Sequence, residues 1–122
     1  MFKIIDLSDA PSAPMDGNRG MKKRLVDTAL GTQALDVHMN ILAPGGARGK
    51  LHKHSVSDNV YIVRSGSGEF IVEGKSYTVK KDQIVFIPAG MSHSLSNVSD
   101  EPFEIFEIYA PAGDKFDFVI CE

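Results

Sequence analysis

Turn-forming residues cut this chain into short pieces, and that spacing limits what it can fold into. Pro44-Gly45-Gly46, Ser65-Gly66-Ser67-Gly68, Glu73-Gly74-Lys75, Lys81-Asp82-Gln83 and Pro88 punctuate the middle of the chain, and no segment shows a sustained helical period. Between them lie short segments rich in β-branched and aromatic residues, such as Val60–Arg64 and Ile84–Ile87. Regularly spaced short strands of this kind predict an all-β sandwich or barrel. Strands are expected at Phe2–Leu7, Met21–Thr28, Ala34–Leu42, Val60–Arg64, Glu69–Glu73, Ser76–Lys80, Ile84–Ile87, Ser92–Ser96 and Phe103–Ala110, with a loop over Ser8–Gly20. The chain has 122 residues, enough for one domain with a real core, and no internal repeat.

Composition narrows the classes of function. The net charge is −3, and the longest basic run is Lys22-Lys23-Arg24, expected to be a solvated strand face. No nucleic-acid footprint is expected from it. There is no apolar run of membrane-spanning length, and Phe2-Lys3-Ile4-Ile5-Asp6 is broken by charge too early for a signal peptide. The single Cys121 permits no internal disulfide. A cytoplasmic location follows as the expectation.

Chemistry concentrates in two stretches, Gly46-Ala47-Arg48-Gly49-Lys50-Leu51-His52-Lys53-His54 and Pro88-Ala89-Gly90-Met91-Ser92-His93-Ser94-Leu95-Ser96-Asn97. On a strand, His52 and His54 project from the same face, because side chains alternate with period two. A third imidazole from a distant strand, His93, would complete a facial nitrogen site for a divalent metal. Glu107 and Tyr109 share a strand face and are candidates for general base and phenol, whereas Glu104 lies on the opposite face. His38 shares a face with Asp36 and Asn40 and is expected to be structural or to line the same cavity. Ser65–Glu69 is a turn between strands, not a phosphate cradle.

These residues resemble the cupin family. In the family's first motif a glycine precedes His-x-His by five residues, a glutamate follows after three or four, and a glycine after six more. Gly46, His52, His54 and Gly66 fit. In the second, a glycine is followed by Pro-x-Gly, histidine and asparagine, and Pro88, Gly90, His93 and Asn97 fit. Asp82 stands where the second motif opens with glycine, and Asn59 stands where the first has glutamate, with Asp58 one residue earlier. The resemblance covers about residues 34–110.

The resemblance implies a jelly-roll β-barrel forming a single domain over residues 1–122, with its core at about 34–110. It implies one divalent transition metal held by His52, His54 and His93 with Asn59, or with Asp58 in its place. A set without carboxylate suits Fe, Zn, Ni or Cu better than Mn. It implies a homodimer, often formed by exchange of N-terminal strands, with Phe2–Leu7 the strand to cross over. The C-terminal Lys115–Cys121 segment would seal the barrel mouth or the interface. Two functions remain open. One is a metal-dependent dioxygenase, isomerase or lyase acting on a small oxygen-rich substrate. The other is a non-catalytic sugar- or metabolite-binding module with a structural metal or none.

Overall fold

A computed structural model describes residues 2–122. Alternating burial along single strands shows why these segments pair. In β5 (Asp58–Ser65), Asn59, Tyr61 and Val63 are buried while Asp58, Ile62 and Arg64 are exposed. A strand with one such face requires an opposing sheet to cover it. The remaining strands are β1 (Ser12–Met15), β2 (Gly20–Val26), β3 (Asp36–Leu42), β4 (His52–Lys53), β6 (Ser67–Val72), β7 (Lys75–Lys80), β8 (Ile84–Ile87), β9 (His93–Ser96), β10 (Phe103–Ala110) and β11 (Val119–Ile120). All pairings are antiparallel. One sheet runs β1-β2-β3-β10-β5-β8 and the other β11-β4-β9-β6-β7. The two form an all-β jelly roll. Among the described residues the only helices are four single 3₁₀ turns, so none is long and apolar enough to cross a membrane.

The apolar core lies between the sheets and gathers Leu42, Val63, Phe70, Leu95, Phe103 and Ile105. Burying a side chain of this size contributes about 1.5–3 kcal/mol. The register places Phe103 opposite Leu42, and Ile105 opposite both Asn40 and Val63. Two residues further along β10, Glu107 sits opposite both His38 and Tyr61. The inner wall of this sheet therefore turns from apolar to polar within one strand repeat.

Tight turns set this register. Glu73 and Gly74 both have positive φ, 48° and 81°, as a two-residue hairpin between antiparallel strands requires. At Gly66, with φ of 78°, an added Cβ would lie 2.3 Å from the Pro102 carbonyl oxygen. Asp82 adopts φ of 69°, so it takes the left-handed conformation that the motif's glycine would supply.

The N-terminal expectations need correction. Residues 2–6 belong to no strand or helix, and Leu7–Asp9 is a 3₁₀ turn. Phe2 and Ile4 are largely exposed, and no strand of the described residues pairs with this segment. The expected loop over Ser8–Gly20 contains β1, which pairs with β2. Pro14 is tolerated there because β1 is the sheet edge.

Candidate metal centre

The three motif histidines converge, although β4 is only two residues long and His54 lies just beyond it. His52 is in register with His93 on β9. Ring centroids are 4.3 Å apart for His52 and His93, 5.0 Å for His52 and His54, and 5.4 Å for His54 and His93. One nitrogen from each ring lies within 4.8 Å of the others.

Each Nδ1 is placed to donate to a backbone carbonyl: His52 to Lys50 at 2.7 Å, His54 to Asp117 at 2.7 Å, and His93 to Met91 at 3.0 Å. A carbonyl only accepts, so each Nδ1 carries the hydrogen and each Nε2 keeps its lone pair. The Nε2 atoms of His54 and His93 are buried with no hydrogen-bond partner. Burial lowers the pKa of His52 to about 4 and also lowers that of His93. Both rings are therefore neutral at neutral pH, the state a metal requires. Oriented rings with unpartnered nitrogens fit a divalent ion with imidazole ligands.

The tail after β10 covers these rings. Phe118 stacks on His52 with centroids 4.1 Å apart and planes 14° apart, and Phe116 lies 4.6 Å from His54. Phe116 also stacks on Tyr109 at 3.8 Å. β11 pairs with β4, which holds the segment in place.

Behind the histidines, Glu107 is the hub of a buried network. Its Oε1 accepts from His38 Nε2 at 2.9 Å and from Asn40 Nδ2 at 3.2 Å. Its Oε2 accepts from Asn59 Nδ2 at 2.7 Å and from Tyr61 Oη at 3.0 Å. The other nitrogen of His38 meets Asp36 at 2.8 Å. Burial alone would raise the Glu107 carboxyl. The hydrogen bond and charge of His38, then Lys22 and Tyr61, outweigh it and lower the pKa to about 2. Burial also works against protonation of His38, but Asp36 and Glu107 raise its pKa on balance. A carboxylate already accepting from four donors is a poor general base. Tyr109 lines the cavity beside Glu107, and burial together with the Asp36 carboxylate raises its pKa, keeping the phenol protonated.

The two neighbours at the oxygen position part company. Asn59 is buried on the inner face; because Glu107 can only accept, the amide nitrogen must face it. Its Oδ1 is left buried and unpartnered. Asp58 is exposed on the outer face, where its carboxylate accepts from the Ala89 backbone N–H at 2.9 Å.

The cavity at this end has a volume of about 230 Å³ and is lined by His52, His54 and His93, by His38, Tyr61, Glu107 and Tyr109, and by a cationic wall of Arg19, Lys22 and Arg24. The Lys22–Arg24 run is thus not simply a solvated face. Lys22, half-buried, and Arg24, exposed to solvent, both border the cavity, while Lys23 donates to the Leu7 carbonyl. Arg19 and the place of Lys22 and Arg24 beside the cavity were missed in the sequence. Their period-two spacing was the available signal.

Residues 38–109 match the sequence model of the cupin domain. The chain belongs to the cupin family. This cupin is 32% identical over 83 residues to mannose-1-phosphate guanylyltransferase of Klebsiella pneumoniae, a match covering 67% of this chain and 17% of that protein. It is 33% identical over 67 residues to the oxalate-binding protein of Thermotoga maritima, covering 55% of this chain and 54% of that one. The cupin thus spans a minor part of the guanylyltransferase and about half of the oxalate-binding protein. In three dimensions it is similar to a polyketide cyclase of Streptomyces resistomycificus. The TM-score is 0.86 at 17% identity, over 100% of this chain and 87% of that one, a likeness of fold.

Proposed function

We propose that this cupin is a small-molecule metalloenzyme whose divalent transition metal is held by Nε2 of His52, His54 and His93, with Oδ1 of Asn59 as the neighbouring oxygen. The observation that carries this reading is the fixed tautomer of all three rings, each Nδ1 bound to a backbone carbonyl. The metal, when bound, supplies Lewis acidity toward a substrate oxygen. Imidazole and amide ligands favour Fe, Zn, Ni or Cu over Mn. The hydrogen bond from Asn59 to Glu107 polarises the amide and enriches charge on Oδ1. Glu107 thus lends the site, at one remove, part of the negative charge that the family's glutamate would bring. Phe116 and Phe118 shield the histidines from solvent. Tyr109 presents a protonated phenol to the cavity, a donor for a substrate oxygen. The substrate is a small oxygen-rich molecule, and the reaction class is dioxygenase, isomerase or lyase.

One observation favours a second reading, a non-catalytic metabolite-binding module. The network engages both Asp36 and Glu107, which leaves the cavity without a free carboxylate to move a proton.

The test is metal content after purification without chelator, for the wild type beside His52→Ala and His93→Ala. Near-stoichiometric metal abolished by either substitution supports the site. A wild type that takes up no Fe, Zn, Ni or Mn on reloading sinks the metalloenzyme. Oxygen uptake by iron-loaded protein with thiols, diketones and phenols then tests the dioxygenase branch.

A further inference from the structure

The wall of the cavity facing β2 carries three cations that make no direct ion pair, although the Glu107 charge favours Arg19 and Lys22 from a distance. Among the described residues, no carboxylate oxygen lies within 4.0 Å of the charged nitrogens of Arg19, Lys22 or Arg24. Among the described residues, none of the three side chains makes a hydrogen bond to the protein. The inner carboxylate Glu107 makes no ion pair with them and already accepts from His38, Asn40, Asn59 and Tyr61. Arg19 is partly buried and its Nε is sealed from solvent without a partner. Burial lowers the pKa of both Arg19 and Lys22, a sign that desolvation of these charges outweighs the protein's compensation. Leaving a buried charge unpaired is costly, and a structure retains it where a ligand supplies the partner.

The backbone makes room for this arrangement. A Cβ added at Gly49 would lie 2.8 Å from Nη2 of Arg19, so the guanidinium occupies space that any other residue there would contest. Arg19, Lys22 and Arg24 also line a second compartment of about 390 Å³ beside β1. Asp16 lines that compartment too, but forms no ion pair with Arg19. The cations therefore stand at the junction of two spaces, one of which ends at the histidines.

We propose that Arg19, Lys22 and Arg24 form a seat for an anionic group, carboxylate or phosphate, of the small molecule whose other end meets the histidines. This rests on the reading of the histidine cavity as the substrate site. Guanidinium forks and an ammonium suit both kinds of oxyanion, and charge-assisted hydrogen bonds are the strong ones. The small volume of the inner compartment restricts the ligand to metabolite size. The anion, remote from the reacting end, would fix its orientation.

Three ligands that share a three-carbon frame test the seat: glycerol 3-phosphate, glycerate and uncharged glycerol. Each is titrated calorimetrically into zinc-loaded protein at low ionic strength. At least one anion is expected to bind about tenfold or more tightly than glycerol, and to weaken as salt is raised. The stronger of the two identifies the oxyanion. Arg19→Gln and Lys22→Gln should each weaken that anion about tenfold while zinc stoichiometry stays unchanged. Glycerol binding as tightly as both anions, no heat from either anion at millimolar concentration, or unaltered affinity in the double variant overturns the seat. If a variant does not fold, the wild-type comparison of charged with uncharged ligand still decides. Failure of zinc uptake sinks the metal reading alone, because the same titration on zinc-free protein still tests the cationic wall.

Discussion

The two ends of the barrel are built from the same strands and have opposite chemistry. At one end, Leu42, Val63, Phe70, Phe103 and Ile105 close on each other with no polar atom to satisfy. At the other, His38, Tyr61 and Glu107, one strand repeat away, form a buried hydrogen-bonded network. Five buried side-chain atoms without partners were found among the described residues: Arg19 Nε, Asn40 Oδ1, His54 Nε2, Asn59 Oδ1 and His93 Nε2. All belong to the polar end. Unpaired buried polar atoms are rare in folded proteins, and their confinement to one end accords with the ligand and metal site proposed there. The apolar end provides rigidity, and the polar end spends some of that stability on unmet valence.

The comparison breaks most visibly at Phe103. Phe103→Ala should destabilise the fold by about 3–5 kcal/mol in urea unfolding, since the ring is fully buried and packs over Gly68. The folded fraction should still take up metal. A loss well under 1 kcal/mol would mean that the apolar end does not carry the stability.

Glu107→Gln comes next, at about 3 kcal/mol, because it strands the donors around one buried acceptor. The sign of its pH dependence follows from its depressed folded pKa, about 2 against an ordinary 4.5. Between those values the unfolded chain takes up a proton that the folded one refuses. The contribution of Glu107 is therefore complete above pH 4.5 and disappears as the pH falls toward 2. Acid unfolding profiles of wild type and variant should converge over that window. Parallel profiles would remove Glu107 from the hub.

Asn59→Ala should weaken metal binding about tenfold in competition with a chelator. Asp58→Ala should leave metal affinity unchanged and cost about 1 kcal/mol or less, through the lost bond to the Ala89 N–H. The reverse pattern would assign the oxygen position to Asp58.

The sequence disclosed some of this and hid the rest for definite reasons. Turn residues marked the strand boundaries well, and Ile84–Ile87 and Phe103–Ala110 are strands with those bounds. Strand formation at Phe2–Leu7 depends on a partner that a local pattern cannot provide. β1 was invisible because Ser12–Met15 has no β-branched residue and contains Pro14. The convergence of His52, His54 and His93 was legible because two motifs fixed their spacing. The place of Glu107 was only half legible. Alternation paired it with Tyr109, but the register with His38 and Tyr61 is a long-range property. The same limit hid Arg19, Lys22 and Arg24, because a short basic run does not reveal which side of its strand meets a cavity.

The hydrogen bond from His54 to the Asp117 carbonyl joins residues 63 positions apart. Its consequence concerns the order of events as the chain is made. The Gly46–His54 stretch emerges from the ribosome long before the segment that fixes its second imidazole. Until residues 116–118 arrive, His54 has lost its anchor and its Phe116 neighbour, and His52 has lost Phe118. A nascent chain therefore carries His52 and His93 with their local carbonyl anchors already available, while the His54 ring is oriented only after residue 117 has been added.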